Sequence, residues 1–216
     1  MQQFVETYGM ILKAEPIGEY DRRVVILTKD CGKISAFARG ARRQTSRLVG
    51  STDMFCFGKF KLYVGRDSYT LSDASISNYF EEFKSDFGGA MFGMYFLELT
   101  DYITHENNDE VEQLKLLYQS TRALVSDLFD NKLVKVIFEI KTIMLMGEYS
   151  PDESISYSDT TKYTVDYIQR TIPEKLFSFG VSKQVLNELI TMADNLKKKY
   201  FNHSFKSEDY LKMIEN

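Results

Sequence analysis

Hydrophobic and polar positions change their period once along this chain, close to residue 80. Before that point apolar side chains recur at every second residue, in short runs bounded by glycine or proline, as half-buried strands require. Tyr8–Leu12 is the first run, closed by a Pro16/Gly18 breaker. Arg23–Thr28 is β-branched and ends on Lys29-Asp30-Cys31-Gly32, a turn signal. Lys33–Arg39 alternates, so one face packs and the other is exposed. Gly40–Gly50 reads as a polar, Arg-rich loop. Phe55–Val64 alternates again through Phe55, Phe57, Phe60, Leu62 and Val64, with Gly58 a predicted bulge or bend. Ser68–Leu71 and Ala74–Ile76 complete the set. Five short strands with one long loop predict a small closed barrel of the OB type.

Past Glu81 the pattern is helical. Phe83–Ile103 lacks proline and carries apolar residues on most faces; Gly88, Gly89 and Gly93 would admit close helix–helix approach. Asp109-x-x-Glu112 resembles a capping box opening a helix over Glu110–Phe129. Leu133–Met146 is apolar almost all round, which predicts a helix buried at the centre of a bundle. Gly147–Ser158 is a linker, followed by helices over Lys162–Gln169, Ser182–Tyr200 and Ser207–Ile214. In the second of these, Val185, Leu186, Leu189, Ile190, Ala193 and Leu196 form one stripe. Lys197-Lys198-Lys199 stands in its last turn, where cations meet the carbonyl end favourably and stay solvated, with nucleic-acid contact as the lesser alternative. The fold class is therefore α+β: a five-stranded OB-fold barrel over residues 1–80, then an all-α helical domain over 81–216.

Composition narrows the function classes. Hydrophobic residues at 44% and charged residues at 27% are ordinary for a globular protein. The N-terminus has neither a basic nor an apolar signal region, and Leu133–Met146 is too short and too charged to span a bilayer, so a cytoplasmic, nucleoid-associated location is expected. Cys31 and Cys56 lack CxxC spacing and a nearby histidine; they read as small apolar fillers, and no metal site is expected. His105 and His203 are isolated, and belong on helix ends or surface turns. No phosphate loop, GxGxxG, HExxH or GxSxG is present, so catalysis, and with it any cofactor, is not expected.

Charge is uneven. Residues 1–79 hold 12 Lys and Arg against 8 acids, +4; the remainder holds 15 against 23, −8; the chain totals −4. Six of the seven arginines in that N-terminal stretch precede residue 50, and nothing acidic occurs from Ala38 to Thr52. Single-stranded nucleic acid is held by cations along its phosphates and by rings on which bases stack. The candidate DNA-binding residues are therefore Arg22, Arg23, Lys33, Phe37, Arg39, Arg42, Arg43, Arg47, Lys59, Lys61, Tyr63 and Arg66, the arginines from 39 to 47 being placed in a flexible loop. The competing reading makes the strand cations a solvated face and the aromatics core. It serves the loop less well, because a loop has little structural need of four arginines.

Gly18-Glu19-Tyr20-Asp21-Arg22, then Leu27-Thr28-Lys29-Asp30-Cys31-Gly32-Lys33-Ile34-Ser35-Ala36-Phe37-Ala38-Arg39-Gly40-Ala41-Arg42-Arg43, closely resembles the N-terminal signature of the RecO recombination-mediator family. The match continues through Ser46-Arg47-Leu48 and Phe55-x-x-Gly58-x-Phe60-x-Leu62-x-x-Gly65-Arg66, and more weakly through Pro173-Glu174-Lys175 and Phe205-Lys206-Ser207. The resemblance implies an OB-fold with a helical domain, binding of single- and double-stranded DNA, and annealing of complementary strands. It also implies partnership with RecR and with the acidic tail of the single-strand-binding protein, helping to load RecA. Arg122, Lys132 and Lys135 are the candidate cations for that tail, with plain solvation as the alternative. Many members carry a four-cysteine zinc module where Gly147–Ser158 stands; here only a short linker does, so zinc is not carried over. Two other readings stay open: an RNA-binding OB-fold protein, and a protein–protein adaptor without direct nucleic-acid contact.

Overall fold

A computed structural model describes residues 3–66, 68–126, 128–152 and 154–215. They form two compact units, one of residues 1–82 with 97–114, the other of 83–96 with 115–216. The first holds a barrel of β1 (Phe4–Ile17), β2 (Asp21–Thr28), β3 (Gly32–Ala38), β4 (Phe57–Val64) and β5 (Tyr69–Asn78), closed in the order β1-β2-β3-β5-β4. With the helices that follow, this is the expected OB-fold plus all-α architecture.

Alternation explains the barrel interior. Val24 faces Ala36 and Ile26 faces Ile34 across the β2–β3 pair, and all four are buried together with Phe60, Leu62 and Leu71. β1 is longer than the Tyr8–Leu12 run because it serves two neighbours, pairing β4 from Phe4 to Met10 and β2 from Gly9 to Ile17, with a bulge between Ile11 and Lys13. Pro16 does not break it: proline is tolerated at a strand end, and Pro16 pairs Arg22 just before the turn. The expected irregularity at Gly58 is present, the β4–β5 register shifting between Phe57 and Gly58 where a Cβ would overlap the Ser75 carbonyl. Cys56 is buried and Cys31 half-buried against the barrel core. Burial pushes the Cys56 thiol up to about 11, so it stays protonated.

Gly32 fastens the β2–β3 turn to the segment after the first long helix, α1 (Phe87–Ile103). It sits at φ +65°, an added Cβ there would overlap the His105 carbonyl, and Lys33 N donates to that carbonyl at 3.0 Å. Gly32→Ala would meet both a left-handed backbone and an overlap. Its expected cost is at least about 2 kcal/mol, read as a lower urea midpoint; an unchanged midpoint would remove this account of the turn.

The second unit contains α3 (Asn131–Leu145), α4 (Asp159–Arg170), the short α5 (Pro173–Leu176), α6 (Lys183–Tyr200) and α7 (Lys206–Glu215), while α2 (Val111–Leu124) begins in the first. α3 is buried continuously from Val136 to Ile143, as its all-round apolar pattern requires. Helix starts are capped by Asp130, Ser158 and Ser182. Glu188 accepts from Ser158 N at 2.8 Å, from Ser158 Oγ and from Thr161, hydrogen bonds that hold its carboxyl down at about 2. What approaches Gly89 is not another helix but the Asp86 carboxylate, which accepts Gly89 N at 2.9 Å at the head of α1. A 3-10 turn, Glu81–Lys84, replaces the expected helical start at Phe83. Among the described residues no helix is long and apolar enough to cross a membrane, and no three His, Cys, Asp or Glu side chains gather as metal ligands would.

Candidate nucleic-acid interface

Register decides which side chains share the outer face of β2 and β3. Arg23 lies opposite Phe37, and Val25 opposite Ser35, on the parity that leaves Val24, Ile26, Ile34 and Ala36 to the core. Arg23 Nε donates to Ser35 Oγ at 2.8 Å, which lays the guanidinium along the sheet. The Phe37 ring beside it is 38% exposed. The parallel pairing of Ala36 with Tyr69 sets the β4–β5 turn, with exposed Arg66, beside β3.

The arginine-rich stretch after β3 is not the flexible loop expected from its polarity. Ala41 and Leu48 drop into the barrel core, so the segment plugs one end of the barrel. Successive turns hold it: Arg43 N donates to the Gly40 carbonyl, Ser46 N to that of Arg43, and Thr52 Oγ1 to that of Leu48. The β1–β2 turn grips it from outside. Asp21 accepts Gly40 N at 2.7 Å, Tyr20 O accepts Arg42 N at 2.9 Å, and Gly18 O accepts Arg42 Nη1 at 3.1 Å. The Arg43 guanidinium lies 4.7 Å from the Tyr20 ring centroid.

Arg39, Arg42, Arg43 and Arg47 are consequently exposed on a braced scaffold. Among the described residues none of these four, nor Arg23 or Arg66, pairs with a carboxylate. These six arginines, with no carboxylate ion pair among the described residues and with Glu15 opposite Arg23 in the β1–β2 register, leave an excess of positive charge on the β2–β3 face and its flanking loops. In OB barrels this strand pair and the β1–β2 and β4–β5 loops are where oligonucleotides bind.

The remaining predicted residues stand elsewhere. Arg22 Nη1 pairs with Asp53 at 2.5 Å and donates to Thr52 Oγ1 at 3.1 Å, pinning the far end of the loop. Lys33 is held by the Asp101 carboxylate at 3.1 Å and by the Asp101 carbonyl, alongside Lys13. Burial raises the Asp101 carboxyl, and the two ammoniums more than offset it, leaving it below its usual value. Lys59, Lys61 and Tyr63 lie on the outer face of β4, toward β1. There Lys59 pairs Glu6 at 2.5 Å, Lys61 approaches Glu6 at 3.9 Å, and Lys61 Nζ also sits 4.8 Å from the Phe4 ring centroid. Hydrogen bonding to Lys59 lowers the Glu6 carboxyl. With Asp73 opposite Lys61, charge on that face is balanced. The structure thus puts Arg23 beside Phe37 on β2 and β3, and leaves Arg39, Arg42, Arg43 and Arg47 exposed on the segment after β3 and Arg66 exposed in the β4–β5 turn. It ties Arg22, Lys33, Lys59 and Lys61 to carboxylates, with Tyr63 on β4.

Residues 1–80 match the family described as Recombination protein O N terminal. Proteins named DNA repair protein RecO align beyond the barrel. One from Acetivibrio thermocellus is 26% identical, covering 98% of this chain and 98% of its own length. One from Clostridium acetobutylicum is 23% identical over 96% of each. One from Clostridium novyi is 30% identical over 66% of this chain and 56% of its own length. The chain belongs to the RecO family. The Acetivibrio alignment runs over 247 positions against the 216 residues here, so that RecO protein carries residues without a counterpart in this chain.

The candidate tail-binding cations of this RecO-family chain fall into two settings. Arg122 is exposed, its guanidinium 5.9 Å from the Tyr118 ring centroid, and Lys132 is exposed in the first turn of α3. Lys135 instead turns inward, 2.8 Å from Glu139 and 3.3 Å from Glu208. Lys197 does the same, which corrects its reading as a solvated cap: its side chain is 9% exposed, 2.8 Å from Glu139 and bonded to Glu208. Sequence reasoning also missed Tyr20 and Asp21 as the clasp of the arginine segment. The available signal was an aromatic residue inside an otherwise polar, glycine-led turn.

Proposed function

We propose that this protein is a non-enzymatic recombination mediator in DNA repair. It binds single- and double-stranded DNA through residues 1–80, anneals complementary strands, and with RecR helps load RecA onto DNA coated by single-strand-binding protein, whose acidic tail docks on the helical residues 81–216. The reading places it in the cytoplasm, with the nucleoid. One observation supports it above the others: six arginines with no carboxylate ion pair among the described residues stand on the β2–β3 face of a RecO-family barrel and on its flanking loops. Annealing needs no bond-making chemistry. A cationic surface lowers the repulsion between two polyanions, and base pairing supplies the free energy.

The same six cations give the test. With six phosphates engaged, log affinity for a single strand falls against log salt with slope about −4, at roughly −0.7 per phosphate. Annealing of complementary oligonucleotides should therefore proceed without ATP and collapse between about 50 and 200 mM salt, the affinity dropping by more than about a hundredfold. Salt-independent binding would rule out the phosphate grip. Annealing of bare strands that fails on protein-coated strands even with RecR would confine the activity to naked DNA and remove the mediator role.

A further inference from the structure

From the clasp between the two loops we infer that Tyr20 is a stacking position for an unpaired nucleobase, and that it makes the barrel prefer single strands over duplex. The inference rests on the nucleic-acid reading above and adds a residue and a ligand class to it. Tyr20 stands at the tip of the β1–β2 turn with its side chain 42% exposed. An exposed aromatic ring on a turn ordinarily moves freely, yet here the backbone that carries it is pinned and the ring itself meets a guanidinium. Its carbonyl accepts Arg42 N, the next residue, Asp21, accepts Gly40 N, and Gly18 two residues before accepts Arg42 Nη1. One side of the ring is covered by the Arg43 guanidinium. A ring held by cation–π contact, within a cluster of phosphate-seeking arginines, is preorganised for a base on its open side.

Geometry favours an unstacked strand. Tyr20 lies in the turn three residues before Arg23, whose register partner Phe37 carries an exposed ring on β3. A ring can stack only on a base whose own face is open, and a duplex covers both faces of every internal base. The arginines contact phosphate in either form. The rings therefore set the difference between the two.

Because the chain contains no tryptophan, Tyr20→Trp introduces a single indole reporter. Its emission should be quenched by oligothymidylate and left unchanged by an abasic strand of equal length. In parallel, Tyr20→Ala should weaken oligothymidylate binding about tenfold, within the range that loss of one base–aromatic stack produces, with duplex affinity and the salt slope unaltered. Tyr20→Phe should bind as the unaltered chain does. Equal quenching by the abasic strand, unchanged affinity of Tyr20→Ala, or an equal loss on single strand and duplex would each overturn the stacking role while leaving the arginine grip intact. An unaltered chain that bound neither form would overturn both.

Discussion

Replacing Arg39, Arg42 and Arg43 together by alanine is expected to cut affinity for a single-stranded oligonucleotide by about fiftyfold at about 0.15 M salt. The figure follows from counterion release: three phosphate contacts at roughly −0.7 each remove about two units from the salt slope, and at that salt they carry about 1.7 decades of affinity. The slope should fall from about −4 to about −2. These are surface side chains, so the barrel should persist. Ala41 and Leu48, which plug it, are untouched, and the backbone bonds from Arg42 N and Arg43 N survive any side-chain change. A titration over about 50–300 mM salt with unchanged slope would withdraw these residues from the interface. Lys59→Ala and Lys61→Ala are the contrast, since both ammoniums already face Glu6 and should change the slope little.

That contrast marks how far the sequence carried. The barrel was readable because strand alternation is a local property: each of β2, β3 and β4 shows its buried face in its own letters. The pairing of cations is not local. Lys33 and Asp101 are 68 residues apart, and Arg22 and Asp53 are 31 apart, so no window of sequence shows that these cations already have partners. The arginine segment was misread as flexible for a related reason. Its two core contacts, Ala41 and Leu48, are single apolar residues in a polar stretch, and two such residues carry no periodic signal. Gly58 succeeded because a glycine that interrupts an alternating run usually marks a bulge or a close backbone approach. Among the helices a further clue lies in α3: between Leu133 and Ile143 its charges are Lys135, Glu139 and Lys141, and charges in so apolar a stretch must have partners.

Those partners lead to the larger stability effect. Glu139, 2% exposed, accepts from Tyr95 Oη at 2.7 Å and from Lys135 and Lys197 at 2.8 Å each; Glu208 of α7 closes the group through Lys197 and Lys135. Burial alone would raise the Glu139 carboxyl, but the two ammoniums more than offset it, leaving it below its usual value. Burial likewise opposes the charge of Lys197, and Glu139 and Glu208 overcome it, leaving the ammonium above its usual value. Glu139→Ala takes from Lys135 and Lys197 the more deeply buried of the two carboxylates they share, and leaves the buried Tyr95 hydroxyl without its acceptor. It should cost about 3–5 kcal/mol, the range for breaking a buried pair from one side. At an m-value of about 2 kcal/mol per molar, the urea midpoint falls by about 2 M. Replacing Glu139, Lys135, Lys197 and Glu208 together by apolar residues of similar size should restore much of that loss, because none of the four charges is then left without its partner. The pH profile follows from the signs. A carboxyl with a lowered folded-state pKa contributes fully above its unfolded value, about 4.3, and loses that contribution as pH falls through the lower folded value. Lys197, raised, contributes fully below about 10.5 and loses its share as pH rises from there through its folded value. Stability of the helical unit should thus be level from about pH 5 to pH 10 and fail first in acid, with α7 released as Glu208 protonates. A Glu139→Ala chain with an unchanged midpoint, or an acid limb that stays level below about pH 4, would show that the cluster is not what holds α7 to α3 and α6.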